Sequence, residues 1–241
     1  MHGGSGALAR ARADPGLTRR WGDLGRRAAS AAVLAPVALG AIWVGGAVFA
    51  ILATAVTLGL LAEWMRLCLG RDRPPALMPA GVAWIALAGA GVVWLRADPA
   101  AGRANVMFLV SVVWASDISA YLVGRLFGGP RLAPRISPGK TWSGAAGGLV
   151  AAVAAGVAAA RLAAPGSGWV GAAEIGLGLS VIGQAGDLLE SLVKRRLGVK
   201  DSGRVIPGHG GLLDRLDAVI AVIPVATLLA LVTGRGVALW E

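Results

Sequence analysis

Residues 28–62 read AASAAVLAPVALGAIWVGGAVFAILATAVTLGLLA, with no Asp, Glu, Lys, Arg or His among them. A helix needs about 20 apolar residues to cross a hydrocarbon core about 30 Å thick. These 35 residues are too many for one crossing and slightly few for two. The stretch therefore reads as two helices turning near Gly45-Gly46, the second running past Glu63 to about Leu67.

Working outward, further apolar runs mark a third span at 76–95 and a fourth at 105–123, the latter containing Asp117. A fifth, at 143–160, is rich in Gly and Ala. A sixth, at 169–189, includes Glu174 and Asp187, and a seventh lies at 216–233. Composition agrees: 56% of the 241 residues are hydrophobic, 15% are charged, and the mean hydropathy is +0.70. Such values exclude an ordinary soluble domain. The expected fold is all-α, a polytopic integral membrane bundle of about seven transmembrane helices. A single cysteine, Cys68, excludes an internal disulfide.

The net charge of +10 fits nucleic acid, acidic lipid or a nucleotide, and the position of the charges decides among them. With the N-terminus cytoplasmic and the spans alternating, only Arg96, Arg103, Arg161 and Arg235 face the other side. The remaining 19 of 23 basic residues are cytoplasmic. This is the positive-inside pattern, and it accounts for the basic residues without nucleic acid. Residues 1–27 read as a flexible basic cytoplasmic arm, and 28–241 as a membrane-embedded domain.

Two polar segments exceed what a membrane bundle needs. In the first, a carboxylate at Asp117 costs about 2.5–3.5 kcal/mol inside a span, so it faces a cavity or a partner. Tyr121 and Arg125 follow on the same helix face. Turns at Gly128-Gly129-Pro130, Pro134 and Pro138 lead to Ser137 and Lys140. Glycines and hydroxyls let backbone N–H groups approach phosphate, and Lys140 adds a positive charge. In the second, Asp187, Glu190, Ser191 and Lys194 share one helix face, and Asp214 and Asp217 lie three apart on the next helix. A glycine-rich turn containing His209 joins them. Carboxylates on two such helix ends can converge on one hard cation, and Mg²⁺ suits oxygen donors. Gly144 and Gly148 form a small-xxx-small pair that lets the fifth helix pack closely.

The run Ser191-x-x-Lys194-Arg195-x4-Lys200-Asp201-x-Gly203-x-x-Ile206-Pro207-x-His209-Gly210-Gly211-x-x-Asp214-Arg215-x-Asp217 resembles the signature of the phosphatidate cytidylyltransferase (CDP-diacylglycerol synthase) family. Asp117, Ala120-Tyr121, Gly124-Arg125, Phe127-Gly128, Ile136-Ser137-Pro138, Lys140-Thr141-Trp142 and Gly144 resemble its second characteristic region. The resemblance covers 117–217 closely. This chain departs from it at Gly139, where a lysine is usual, and at Ser143, where a glutamate is usual. Arg135 lies near enough in sequence to replace the missing lysine.

The resemblance implies transfer of a cytidylyl group from CTP to phosphatidate, giving CDP-diacylglycerol and pyrophosphate. It implies a Mg²⁺ site on Asp187 and Asp214, with K⁺ beside it. Glu190 and Asp217 are then supporting groups. Lys194, Lys200 and Asp201 complete the expected catalytic set, and Arg195 and Arg215 join Ser191 and His209 as substrate contacts. Expected partners are CTP, phosphatidate and membrane lipid, with a homodimer as the assembly. The expected location is the bacterial inner membrane, with the site on its cytoplasmic face. Two other readings are a CTP-dependent polyprenol kinase, which lacks the 191–217 signature, and a transporter using Asp117, Glu174 and Asp187. The chain has no internal repeat of the kind transporters often carry.

Overall fold

The computed structural model describes residues 32–69, 74–166, 168–203 and 210–241. The expected basic arm and His209 lie outside them. Seven helices occur among the described residues: α1 (Ala32–Val44), α2 (Gly46–Cys68), α3 (Leu77–Arg96), α4 (Gly102–Phe127), α5 (Trp142–Ala163), α6 (Trp169–Arg196) and α7 (Leu213–Thr233). Five of them (α2, α3, α4, α5 and α7) are long and apolar enough to cross a membrane. α1 is shorter, and α6 is long but carries Glu174, Gln184 and Asp187 among its apolar residues.

The charge-free run breaks where expected. Gly45 has φ 69°, a conformation that favours glycine. The turn is also held from outside. Arg96, at the end of α3, donates from Nε to the Ile42 carbonyl at 2.6 Å and from Nη2 to the Trp43 carbonyl at 3.2 Å. These are carbonyls of the last turn of α1, which has no further helical donors. A Cβ at Gly45 would run into the same guanidinium.

The other helices match the expected spans to within a few residues at most ends. The largest difference is α6, which continues seven residues beyond 189 to Arg196. Hydropathy marks where a helix leaves apolar surroundings, and backbone hydrogen bonding carries it further.

α5 is the wedge of the bundle. Its buried residues Gly144, Gly148, Ala152, Gly156 and Ala160 recur every four positions. A Cβ on Gly144 would stand 2.6 Å from the Ala120 carbonyl of α4, and one on Gly148 3.0 Å from that of Ser116. On the other flank, Gly156 meets the Ala172 carbonyl of α6 at 3.0 Å by the same measure. The small-residue pair expected on this helix is thus part of a longer stripe, with backbones in near contact. Gly144→Val is expected to destabilise the bundle by about 1–3 kcal/mol through overpacking. Thermal unfolding in detergent checks this, and Gly144→Ala should fall between it and the parent.

A two-stranded antiparallel hairpin, β1 (Arg131–Ala133) and β2 (Ser137–Thr141), stands between α4 and α5. The all-α expectation took this segment as a loop of repeated turns. Ile136 N–H closes the turn onto the Ala133 carbonyl at 3.1 Å, with Pro134 in second place. The pairing register shifts between Arg131 and Ala133. The strands are too short for alternation to show in the sequence.

Candidate active site

The ends of α2, α4 and α6, the start of α7 and the hairpin meet at one end of the bundle. Lys140 Nζ on β2 lies 2.5 Å from Asp187 Oδ2 on α6. Arg195 Nε, one residue from the end of α6, donates to the Ile136 carbonyl in the hairpin turn at 3.3 Å. These two contacts bring the polar segments together, although 46 residues separate Lys140 from Asp187 by number. Asp117 on α4 is solvent-accessible and close enough to feel the charges of Asp187, Lys140 and Asp217.

Asp187, Glu190 and Asp217 form the acidic centre. Each offers a carboxylate oxygen, and the three atoms lie within 4.8 Å of one another. Asp187 and Glu190 are one helical turn apart on α6, and Asp217 faces them from α7. Gly186 permits that approach, because a Cβ there would strike Ala221. Only 9% of the Glu190 side chain is exposed, and neither of its oxygens has a hydrogen-bond donor aligned on it. Lys194 supplies charge instead, with Nζ 2.6 Å from Glu190 Oε2 and 2.6 Å from Asp214 Oδ1.

Asp214, which the resemblance implies as a magnesium ligand with Asp187, has other partners here. The oxygens that gather with Asp187 belong to Glu190 and Asp217, which were expected to be supporting groups. Asp214 Oδ1 takes the Lys194 ammonium, and Oδ2 accepts the N–H groups of Gly211 at 2.8 Å and Ser202 at 3.0 Å. The cause is position. Asp214 sits in the first turn of α7, where unpaired backbone donors collect, while Asp217 lies one turn deeper, against α6.

The other expected residues are distributed around this centre. Arg125 Nη1 donates to the Tyr121 hydroxyl at 2.8 Å on the exposed face of α4. Ser137 is half-buried on β2, and Ser191 half-buried on α6. Lys200 and Asp201 are exposed ahead of Ser202, and Arg215 is exposed on α7. Glu174 is exposed and is not among the gathered acids.

One residue was missed. Glu63 on α2 is 2% exposed. Its Oε2 accepts the Leu213 N–H at 2.8 Å, and its Oε1 accepts the Ser202 hydroxyl at 3.2 Å. The signal was present, since Glu63 is a lone carboxylate closing a 35-residue charge-free run.

Beside the acids lies a cavity of about 400 Å³, its walls including Trp64, Leu77, Trp84 and Ile85 as well as Glu190 and Asp217. Its lining is otherwise apolar. Three carboxylate oxygens gathered in one cluster fit a divalent cation.

The model of the cytidylyltransferase family matches residues 76–233. The chain belongs to the cytidylyltransferase family. A phosphatidate cytidylyltransferase of Brucella abortus biovar 1 (strain 9-941) is 38% identical, over 83% of this chain and 90% of that one. One from Mycobacterium leprae is 47% identical over 62% of this chain and 47% of its own length. A third, from Haemophilus influenzae, is 41% identical over 56% of this chain and 50% of its own.

Like its apolar helices, these bacterial relatives mark this cytidylyltransferase as an integral membrane protein. Both departures from the family pattern lie on or beside the hairpin. Gly139 is exposed on β2. Ser143 donates its hydroxyl to the Gly128 carbonyl and lies 3.0 Å from Thr141 Oγ1, tying the hairpin entry to α5. Thr141 caps α5 by accepting the Gly144 N–H at 3.1 Å. Thr141→Ala should cost about 1 kcal/mol, which chemical unfolding in detergent measures.

Proposed function

We propose that this protein transfers the cytidylyl group of CTP to phosphatidate, giving CDP-diacylglycerol and pyrophosphate. The observation that carries the reading is the Lys140–Asp187 contact, which joins the two polar segments around the acidic centre, next to an apolar cavity. The relatives named phosphatidate cytidylyltransferase support the same substrates.

A lipid phosphate is anionic at neutral pH, so the attack on the α-phosphorus of CTP requires no nucleophilic side chain and no strong base. The protein must bring two anions together in line and offset their charge. We assign Asp187, Glu190 and Asp217 to a magnesium ion, which when bound neutralises phosphate charge and the developing pyrophosphate. Asp214 then fixes Lys194 beside that centre. Lys140, Arg195, Lys200 and Arg215 are the basic groups placed to meet triphosphate and lipid phosphate. The cavity between α2, α3, α6 and α7 suits acyl chain, and its carboxylate-bearing side leads to the headgroup.

We place this chemistry at the cytoplasmic face of the bacterial inner membrane, where CTP is dissolved. Lys140, Lys194 and Arg195 gather at that end of the bundle, in keeping with a positive-inside face. The catalytic domain then comprises 28–241.

The test uses detergent-purified protein with phosphatidate, Mg²⁺ and CTP labelled at the α-phosphate. Label is expected in the lipid product, with release of pyrophosphate. Lipid labelled only from the γ-phosphate would instead mark a kinase, and no lipid label from either position would end both readings.

A further inference from the structure

Glu63 lies on none of the polar segments, yet it contacts both flanks of the segment leading into α7. The Ser202 hydroxyl and the Leu213 N–H both point at its carboxylate, from positions eleven residues apart. Space around it is tight. A Cβ on Gly203 or on Gly211 would collide with Oε1, so the backbone passes the carboxylate only because those two residues have no side chain. A buried carboxylate within an apolar helix is costly unless it is hydrogen-bonded. Here, donors from the incoming segment supply those bonds.

The contacts continue from Glu63 to the acidic centre. Ser202 gives its hydroxyl to Glu63 and its N–H to Asp214. Asp214 holds Lys194, and Lys194 holds Glu190. Leu213, fixed by Glu63, begins the helix that carries Asp217 one turn later. Two of the three gathered carboxylates are thus positioned through groups that Glu63 anchors.

Resting on the proposed function, we infer that Glu63 is a positioning residue of the transfer site, setting the geometry in which Glu190 and Asp217 receive the cation. It touches neither substrate nor the reacting atoms. Its effect is on cation affinity, through Ser202, Asp214 and Lys194 on one path and through the start of α7 on the other.

The experiment compares the full-length parent with Glu63→Gln and Ser202→Ala in detergent. Mn²⁺ binding is followed by electron paramagnetic resonance, and cytidylyl transfer is followed against Mg²⁺ concentration. Glu63→Gln replaces one accepting oxygen with a donor and is expected to raise the Mn²⁺ and Mg²⁺ midpoints on the order of tenfold to a hundredfold, the span of one charged hydrogen bond. Excess Mg²⁺ should restore much of the rate, with the CTP KM changed by less than about threefold. Ser202→Ala retains the N–H to Asp214 and loses one bond, so its midpoints should shift in the same direction but less. A merely structural role would lower the amount of active protein and leave both midpoints unchanged. Parent-like midpoints in Glu63→Gln would overturn the inference. If Glu63→Gln does not fold, parent-like midpoints in Ser202→Ala would overturn it. A parent that binds Mn²⁺ but makes no CDP-lipid would end the functional reading, and the Mn²⁺ midpoints would still decide the role of Glu63.

Discussion

Asp187→Asn is expected to insert and purify like the parent and to retain less than about a thousandth of its turnover. Asparagine keeps the shape of the side chain and removes its charge. Two effects follow from the same side chain. The acidic centre loses the one carboxylate that links it to the hairpin, and Lys140 loses its partner at 2.5 Å. A thousandfold loss corresponds to about 4 kcal/mol of transition-state stabilisation. That is in keeping with removing a charged ligand from a site that gathers two anions. Insertion should survive, because Asp187 lies at the polar end of α6 and its removal takes a charge out of the helix. The measurement is CDP-lipid formed per minute across a Mg²⁺ series, beside the fraction recovered in membranes. A near-parental rate that still depends on Mg²⁺ would refute the assignment of the ion to this carboxylate.

Trp240→Ala should give the largest loss of stability, about 3–5 kcal/mol, the range for truncating a buried aromatic. After α7 ends at Thr233, the chain folds back across the end of the bundle opposite the acids. Gly236 N–H donates to Asp98 Oδ2 at 2.6 Å, and Leu239 N–H to Asn105 Oδ1 at 2.9 Å. Trp240 is 4% exposed, with its ring 4.9 Å from that of fully buried Phe108. Its carbonyl packs against Gly171 at the start of α6, so one residue joins α4, α6 and the end of α7. The variant should unfold at a clearly lower temperature in detergent. Below that temperature it should keep its CTP KM, since the site lies at the other end. An unchanged melting temperature would show that this clasp contributes nothing.

Asp98 gives the clasp a pH dependence. Its carboxyl is held below the ordinary value of 3.8, first by the Ala101 N–H, then by the Gly236 N–H, with smaller help from Ala100 and Arg235. A depressed carboxylate contributes stability that is complete well above pH 3.8 and is lost as pH falls through its folded value. Melting temperature should therefore be flat near neutrality and fall in strong acid. Asp98→Asn should remove that part of the acid dependence.

The charge-free run 28–62 and the spacing of later apolar runs foretold the order of the helices among the described residues. Crossing a bilayer demands long, continuous apolar segments, and such segments are visible residue by residue. The glycine break at Gly45 and the α5 stripe were equally local, one depending on backbone conformation and the other on side-chain size. The second polar segment likewise includes the three residues whose carboxylates gather at the polar end of α6. Which carboxylates meet, however, depends on the rotation of α6 against α7, and Gly186 sets that rotation by allowing close approach. The family resemblance implied Asp187 and Asp214 as an ion-binding pair, and the carboxylate oxygens that gather with Asp187 within 4.8 Å are those of Glu190 and Asp217. Glu63 was visible as a lone acid, but its role required knowing that α2 ends beside residues 202 and 213, more than a hundred positions away. Composition and periodicity determine which segments leave water. Only the tertiary structure decided which polar groups those segments carry into contact, because contacts between distant helices depend on how their surfaces interlock.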